Sequence, residues 1–173
     1  MTLVADTAAT DSSSSMVITS SDPSINMESE LTLRIQTLMP LDVGSGAVIT
    51  IPTDFTIVDG TLAFLNPLGS QLNSSPTWSY DDTTRTLTVD DINISTIASL
   101  GFINIVIGTV INPDKTEPTA TFTYQLYDPL GAIVEEALDG ITFTAAAGGF
   151  ASTELTASDY AINKELVEYT FTL

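Results

Sequence analysis

Apolar and polar residues alternate along several segments of the chain. In ELTLRIQT, Leu31, Leu33 and Ile35 fall on one side and the polar residues on the other, and TATFTYQLYD shows the same pattern. A period of two residues is typical of a β-strand with one buried face. These segments therefore predict strands that line a core.

Short apolar segments separated by Gly, Pro, Asn and Asp predict further strands. They are TLVAD, MVIT, GAVITIP, DFTIV, TLAFL, PTWSY, RTLTV, INIST, AIVEEA and GITFTA. LGFINIVIGTVI is a long apolar run, which predicts a central strand buried on both faces. Only ISTIASL is compatible with one or two helical turns. We count about ten strands.

The composition favours the same fold class. Thr and the β-branched apolar residues are abundant, and such side chains fit a pleated, half-buried surface. No segment shows a long helical period. We therefore predict an all-β fold, an Ig-like antiparallel β-sandwich, in a chain of 173 residues that is long enough to bury a substantial core.

The chain uses one segment twice. ITSSDPSINME and LTASDYAINKE, 137 residues apart, are identical at six of eleven positions. The identical pairs are Thr19 and Thr156, Ser21 and Ser158, Asp22 and Asp159, Ile25 and Ile162, Asn26 and Asn163, and Glu28 and Glu165. After a gap of one residue, Glu30 matches Glu168 and Thr32 matches Thr170. Convergence between two strands of similar composition explains the match less well, because a turn and both flanks agree.

The repeat predicts a module of about 137 residues. We expect an N-terminal strand and Ser-rich linker over residues 1–15, a β-sandwich module over 16–152, and a strand segment over 153–173 that repeats the start of the module. Either many modules follow in tandem, or the end strand completes the sheet of a neighbouring subunit. Both versions make a head-to-tail contact that builds a filament. The apolar residues of this assembly strand are Val167, Tyr169, Phe171 and Leu173.

Three segments carry a family resemblance. They are MPLDVGSGAVITIPTDF, INPDKTEPTATFTYQLYDPLGAIVEEALDGITFT and LVEYTFTL. They resemble the repetitive Ig-like β-sandwich modules of large secreted or surface proteins of ciliates and other protists, which build mastigoneme-like fibres or surface coats. The resemblance covers most of the chain and implies a structural, extracellular role. It supplies no catalytic residue.

Charge and missing residue types exclude several functions. The chain has 22 acidic and 4 basic residues, and its net charge of −18 repels phosphate backbones and anionic lipid surfaces. It contains neither Cys nor His, which excludes the ordinary zinc sites as well as Ser-His-Asp and Cys-His catalysis. We expect no enzymatic activity, no nucleic-acid partner and no membrane insertion.

The N-terminal sequence lacks the basic and apolar regions of a signal peptide, and no apolar run is long enough to span a membrane. A secretion signal would have to lie outside this sequence. Two sequons, at Asn73 and Asn93, predict N-linked glycans if the protein is secreted by a eukaryote. We expect the protein outside the cell or on its surface.

Other candidate sites are weaker. No loop has the spacing of a calcium site, so we interpret the paired carboxylates as solvated turn residues and expect no cofactor. These pairs are Asp81 and Asp82, Asp90 and Asp91, and Glu135 and Glu136. Chance pairs of carboxylates give no specific support for a glycosidase. Trp78 and Tyr80 share a strand face, where a lectin could stack a sugar on Trp78, although we favour a core role.

Taken together, the sequence predicts a structural subunit of an extracellular filament or surface coat that binds copies of itself through shared β-strands. The alternative is a carbohydrate-binding or adhesion module of a large cell-surface protein. An inter-module contact at the end strand would indicate the first, and a cleft lined by aromatic residues would indicate the second.

Overall fold

A computed structural model describes residues 9–10, 16–58, 63–147, 154–157 and 169–172. The described residues contain thirteen strands, against about ten expected, because several short edge strands give weak sequence signals. The strands are β1 (Ala9–Thr10), β2 (Met16–Ser20), β3 (Glu28–Gln36), β4 (Gly46–Thr50), β5 (Thr56–Ile57), β6 (Ala63–Leu68), β7 (Thr77–Asp81), β8 (Thr86–Asp90), β9 (Phe102–Ile111), β10 (Phe122–Tyr127), β11 (Ile133–Ile141), β12 (Glu154–Ala157) and β13 (Tyr169–Thr172). The expected strand TLVAD lies outside the described residues.

Eleven of the strands build two sheets that face each other. One sheet has the order β1-β11-β10-β4-β8-β7, and the other has the order β2-β3-β9-β5, with β6 also pairing with β9. All pairs in these two sheets are antiparallel except β1 with β11. One core cluster joins residues of both inner faces, so the predicted all-β, Ig-like sandwich is confirmed.

The centre of the second sheet is the long pairing of β3 with β9. Leu31, Leu33 and Ile35 of β3 are fully buried, as their alternation predicts. Their register partners on β9 are Ile107, Ile105 and Ile103, which are also fully buried. Branched apolar side chains on two central strands therefore form one wall of the core.

Three local expectations were wrong. β9 is buried on one face only, because Phe102 is exposed and Asn104 and Val106 are half-buried on the outer face, as is usual in antiparallel sheets. ISTIASL forms turns and a bridge from Ile97 to Leu41 rather than a helical turn. AIVEEA and the start of GITFTA form the single strand β11.

The loops gather at the two ends of the sandwich. We call the end with loops 37–45, 91–101 and 128–132 the upper end. The opposite end, with loops 21–27 and 112–121 and residues 142–147, is the lower end. β2, β4, β9 and β11 run from the upper to the lower end, and β3, β8 and β10 run back.

Gly46, the first residue of β4, lies under the ring of Tyr127. A Cβ atom at Gly46 would come within 2.2 Å of the Tyr127 ring, so only glycine fits there. The Tyr127 hydroxyl donates to the Asp90 carboxylate at 2.6 Å, and burial together with this hydrogen bond raises the pKa of Tyr127. The ring therefore joins β10 to the end of β8 across β4.

Replacing Gly46 with alanine should destabilise the sandwich by about 1–3 kcal/mol, because the new methyl group forces the Tyr127 ring away. Urea denaturation followed by tryptophan fluorescence measures this change. In a Tyr127→Leu background the same substitution should cost clearly less. An equal cost in both backgrounds would show that the ring contact is not the cause.

Candidate functional site

Asn112 is a buried hydrogen-bonding centre at the lower end. Its side-chain amide donates to the backbone carbonyls of Asp22 and Ser24, the latter at 2.9 Å. Its side-chain oxygen Oδ1 accepts from the Ser29 hydroxyl at 2.9 Å, and its backbone N–H donates to the Met27 backbone carbonyl at 2.9 Å. Asn112 thus holds the whole turn between β2 and β3 against the end of β9.

The turn between β2 and β3 also carries its own restraints. The Asp22 carboxylate accepts from the Ser24 backbone N–H at 3.0 Å, and this hydrogen bond lowers the pKa of Asp22. The Ser21 hydroxyl accepts from the Glu30 backbone N–H at 2.9 Å. Asn26 has a left-handed φ of 56°, a conformation that Asn tolerates better than most residues. The side chains of this turn therefore select its shape.

The segment that follows β11 lies beside this turn. After β11, the backbone N–H of Ala146 donates to the Pro23 carbonyl at 2.8 Å, and the Ala146 carbonyl accepts from Ile25 at 3.0 Å. Ser24 and Ala146 form a parallel bridge. The first turn of the sandwich and its last described segment consequently meet at the lower end.

A second hairpin lies beyond the sandwich strands. β12 and β13 form a separate antiparallel two-stranded sheet. We call β2 with β3 the first hairpin, and β12 with β13 the second hairpin.

The two hairpins have the same register. In the first hairpin Thr19 pairs with Thr32, and in the second Thr156 pairs with Thr170, which are the residues matched by the sequence repeat. The neighbouring pairs also correspond: Val17–Arg34 with Glu154–Thr172, Ile18–Leu33 with Leu155–Phe171, and Ser20–Leu31 with Ala157–Tyr169. The sequence repeat thus coincides with a repeat of backbone pairing.

Four of the six identical residues of the repeat have side chains with a defined role in the first turn. Ser21 and Asp22 accept backbone hydrogen bonds, Ile25 packs against the core, and Asn26 takes the left-handed conformation. All four recur in the second copy, as Ser158, Asp159, Ile162 and Asn163. Shared composition alone does not select these positions.

Three changed residues of the turn act through their backbone, whereas Ser20, whose hydroxyl donates to the Asp22 carbonyl at 2.8 Å, is replaced by Ala157. Pro23 and Met27 contribute carbonyl groups, and Ser24 contributes its N–H and its carbonyl. Tyr160, Ala161 and Lys164 stand at these positions in the second copy and offer the same backbone groups. Ser29 has no serine counterpart, because Leu166 and Val167 stand there.

β9 is paired along both of its edges in this sandwich. β3 covers one edge, and β5 and β6 cover the other. β3 lies between β2 and β9, whereas β13 pairs with β12 and, among the described strands, with nothing on its other edge. By correspondence, that edge of β13 is the one that β3 offers to β9.

The predicted assembly strand is described only in part. Tyr169 and Phe171 lie at alternate positions of β13, opposite Ala157 and Leu155 of β12. Val167 and Leu173 lie outside the described residues. Their role in assembly stays a prediction.

The two sequon asparagines have different surroundings. Asn93 is fully buried, and its amide nitrogen donates to the carbonyls of Leu41, Asp42 and Ser95. The sequon does not report this burial, and glycosylation at Asn93 stays a prediction. Asn73 is half-buried in a surface loop, and glycosylation there stays a prediction.

Trp78 is not the core aromatic residue that the sequence led us to expect. Its side chain is 42% exposed on the edge strand β7, whereas Tyr80 packs against the core. The buried aromatic cluster consists of Phe55, Phe122 and Phe143, with ring centroids 5.4 and 5.5 Å apart. Trp78 is exposed because β7 is an edge strand. The alternation of PTWSY cannot distinguish an edge strand from a central one.

Glu135 is a buried carboxylate that the sequence did not reveal. We expected Glu135 and Glu136 to be solvated, but Glu135 is fully buried inside the sandwich. One carboxylate oxygen accepts from the Tyr124 hydroxyl at 2.9 Å and the other from the Leu38 N–H at 2.7 Å. These hydrogen bonds satisfy the buried carboxylate, and the bond to Leu38 holds the loop 37–45 against the core.

Neither a metal site nor a membrane helix is found in the part of the chain that the structure describes. No group of three or more carboxylates there could hold a metal ion. Likewise, none of these residues forms a helix long and apolar enough to cross a membrane.

Comparisons with known proteins give distant likenesses of fold. No family profile and no curated protein matches the sequence. A non-cellulosomal cohesin from the hyperthermophilic archaeon Archaeoglobus fulgidus is 16% identical, with a TM-score of 0.44 over 78% of this chain and 93% of that chain. A collagen-binding domain from a Staphylococcus aureus adhesin is 17% identical, with a TM-score of 0.37 over 77% and 96%.

Asn112→Ala should destabilise the sandwich by about 2–4 kcal/mol, because it removes three side-chain hydrogen bonds, one of them to the buried Ser29 hydroxyl. Chemical denaturation measures the loss, and hydrogen exchange at the Ile25 amide locates it at the turn. Ser29→Ala, which removes only one of these bonds, should cost about 1 kcal/mol. Equal losses for the two variants would contradict a central role for the Asn112 amide group.

Proposed function

We propose that this chain is a structural unit of an extracellular filament or surface coat, in which successive sandwiches are joined head to tail. In this proposal the second hairpin forms the opening strands of the next sandwich. The observation that carries it is the shared register of the two hairpins, with Thr156–Thr170 in the place of Thr19–Thr32.

The pairing of β9 decides where the second hairpin finds its partner. Both edges of β9 are occupied within its own sandwich, so β13 has no open β9 edge to join there. A β9-type strand of another sandwich supplies that edge. The strand-sharing contact is therefore one between units, and main-chain hydrogen bonds with matched register provide its specificity.

The proposal includes the finer predictions from sequence. The unit has no catalytic role, works outside the cell without a cofactor, and carries an N-linked glycan at Asn73 if it is made by a eukaryote. The resemblance to fibre-forming modules of protists agrees with this role.

An extended chain tests the proposal. Residues 36–153 are appended after residue 173, because Leu173 corresponds to Ile35 in the repeat. The second hairpin and the appended residues should together fold as a second sandwich. Calorimetry should then give about twice the unfolding enthalpy, which scales with the number of ordered residues.

Two further chains serve as controls. Deleting residues 166–173 from the extended chain removes β13 and should leave the appended residues open to protease, with the first sandwich intact. Appending a complete copy, residues 16–153, must give two sandwiches. If that copy folds and the shorter extension stays protease-sensitive, the second hairpin does not open a new unit.

The second candidate function is an adhesion module that binds carbohydrate. The half-exposed Trp78 on the edge strand β7 favours it, since an exposed indole can stack on a sugar ring. If it is correct, Trp78→Ala should abolish retention on a glycan array while unfolding changes by less than 1 kcal/mol. The control is Ile94→Ala, which removes an apolar side chain outside β7 that is still more exposed, at 59%. Equal retention of both variants and the wild type would exclude a role for Trp78.

A further inference from the structure

The upper end of the sandwich exposes a group of large apolar side chains. Leu130 is 93% exposed, Val43 is 52%, Met39 is 46% and Ile133 is 41%. We call these four residues the upper-end patch. Single exposed apolar residues are common on protein surfaces, but a contiguous group marks an interaction surface.

The patch is continuous across two loops. A Cβ atom on Gly44, next to Val43, would lie 3.8 Å from Pro129, next to Leu130, so the two loops are in contact. Met39 and Ile133 line one depression of about 210 Å³ between the same loops. Met39 and Ile133 therefore line the depression, and Val43 and Leu130 lie in the two loops beside it.

Buried polar groups hold these loops in place. Glu135 binds the backbone of Leu38, and Asn93 binds the carbonyl of Asp42, so both flanks of the first loop are fixed. In the second loop, the Asp128 carboxylate accepts from the N–H groups of Leu130 and Ala132, each at 2.8 Å. The patch is thus ordered before any partner arrives, which reduces the entropy cost of binding.

Chain direction identifies what this patch meets in a filament. The chain leaves one sandwich at its lower end, near Ala146. β12 corresponds to β2, which begins at the upper end, so the next sandwich starts from its upper end. Only residues 148–153 separate the described part of the first sandwich from Glu154, and this stretch spans at most about 25 Å.

We propose that the upper-end patch binds the lower end of the preceding sandwich, so that apolar packing and strand sharing together set the filament axis. This inference rests on the proposed head-to-tail assembly, and it adds a second contact between units to the shared strands. The lower end offers Met27, which is 46% exposed, in the turn held by Asn112. The partner is a second copy of this sandwich.

The contact has a distinct salt dependence. The chain has a net charge of −18, and Asp42 and Asp128 flank the patch. Two such surfaces repel each other at low ionic strength, so added salt screens the repulsion and should strengthen the contact. A contact made mainly by ion pairs would instead weaken with salt.

Cross-linking of full-length chains tests this contact, and the absence of natural cysteine makes each cross-link unique. Leu130→Cys and Met27→Cys chains are mixed at equal concentration and oxidised gently. We expect the Leu130–Met27 heterodimer to exceed either homodimer at least threefold, and its yield to rise with NaCl. A dominant Leu130 homodimer, a statistical mixture or a yield that falls with salt would overturn the proposal.

A second measurement uses charge substitutions in the extended chain described above. Leu130→Glu in its C-terminal copy should uncouple the two sandwiches and broaden the distribution of inter-sandwich distances in X-ray scattering. The same substitution in the first copy, and Leu138→Glu on the face of β11, should have no such effect. Two folded sandwiches that are unaffected by Leu130→Glu would refute the patch while leaving head-to-tail assembly intact. An extension that fails to fold would refute the assembly itself.

Discussion

The pairing of β3 with β9 is the interaction on which this molecule depends. Its register buries Leu31, Leu33 and Ile35 against the opposite sheet, and a slip of one residue would turn all three towards water. Asn112, directly after β9, secures that register by binding the turn that precedes β3. Core burial and turn geometry therefore support each other, and the hairpin that enters this pairing is the segment that the chain repeats.

The buried polar side chains at the two ends of the sandwich bind different parts of the backbone. At the lower end, Asn112 gathers backbone groups from the first turn, and the outgoing chain passes Pro23. At the upper end, Asn93 and Glu135 bind loop backbone from inside the core while apolar side chains point outwards. A module with two unlike, ordered ends is suited to stacking in one direction. The upper end of one module can then contact the lower end of another more readily than two identical ends can contact each other.

Much of the fold could be predicted from sequence, because alternation such as that of Leu31, Leu33 and Ile35 reports burial directly. The repeat could also be predicted, because Asp22 and Asn26, which shape the turn, recur as Asp159 and Asn163. The outer face of β9 and the exposure of Trp78 could not be predicted, because they depend on which strands flank a segment. Glu135 was missed for a related reason: its partners, Tyr124 on β10 and Leu38 in the loop 37–45, come close only in the folded chain.

The Ser29 hydroxyl has a consequence for how a chain of such units folds correctly. Two hairpins with one register compete for the same β9 edge, and tandem proteins with interchangeable elements are prone to misassembly between neighbours. Only the first hairpin brings a serine to the Asn112 carbonyl oxygen, since Leu166 and Val167 occupy its counterpart. A buried hydrogen bond of about 1 kcal/mol would bias the β9 of this sandwich roughly fivefold towards the first hairpin. One hydroxyl group thus distinguishes two hairpins whose backbone pairing is otherwise the same.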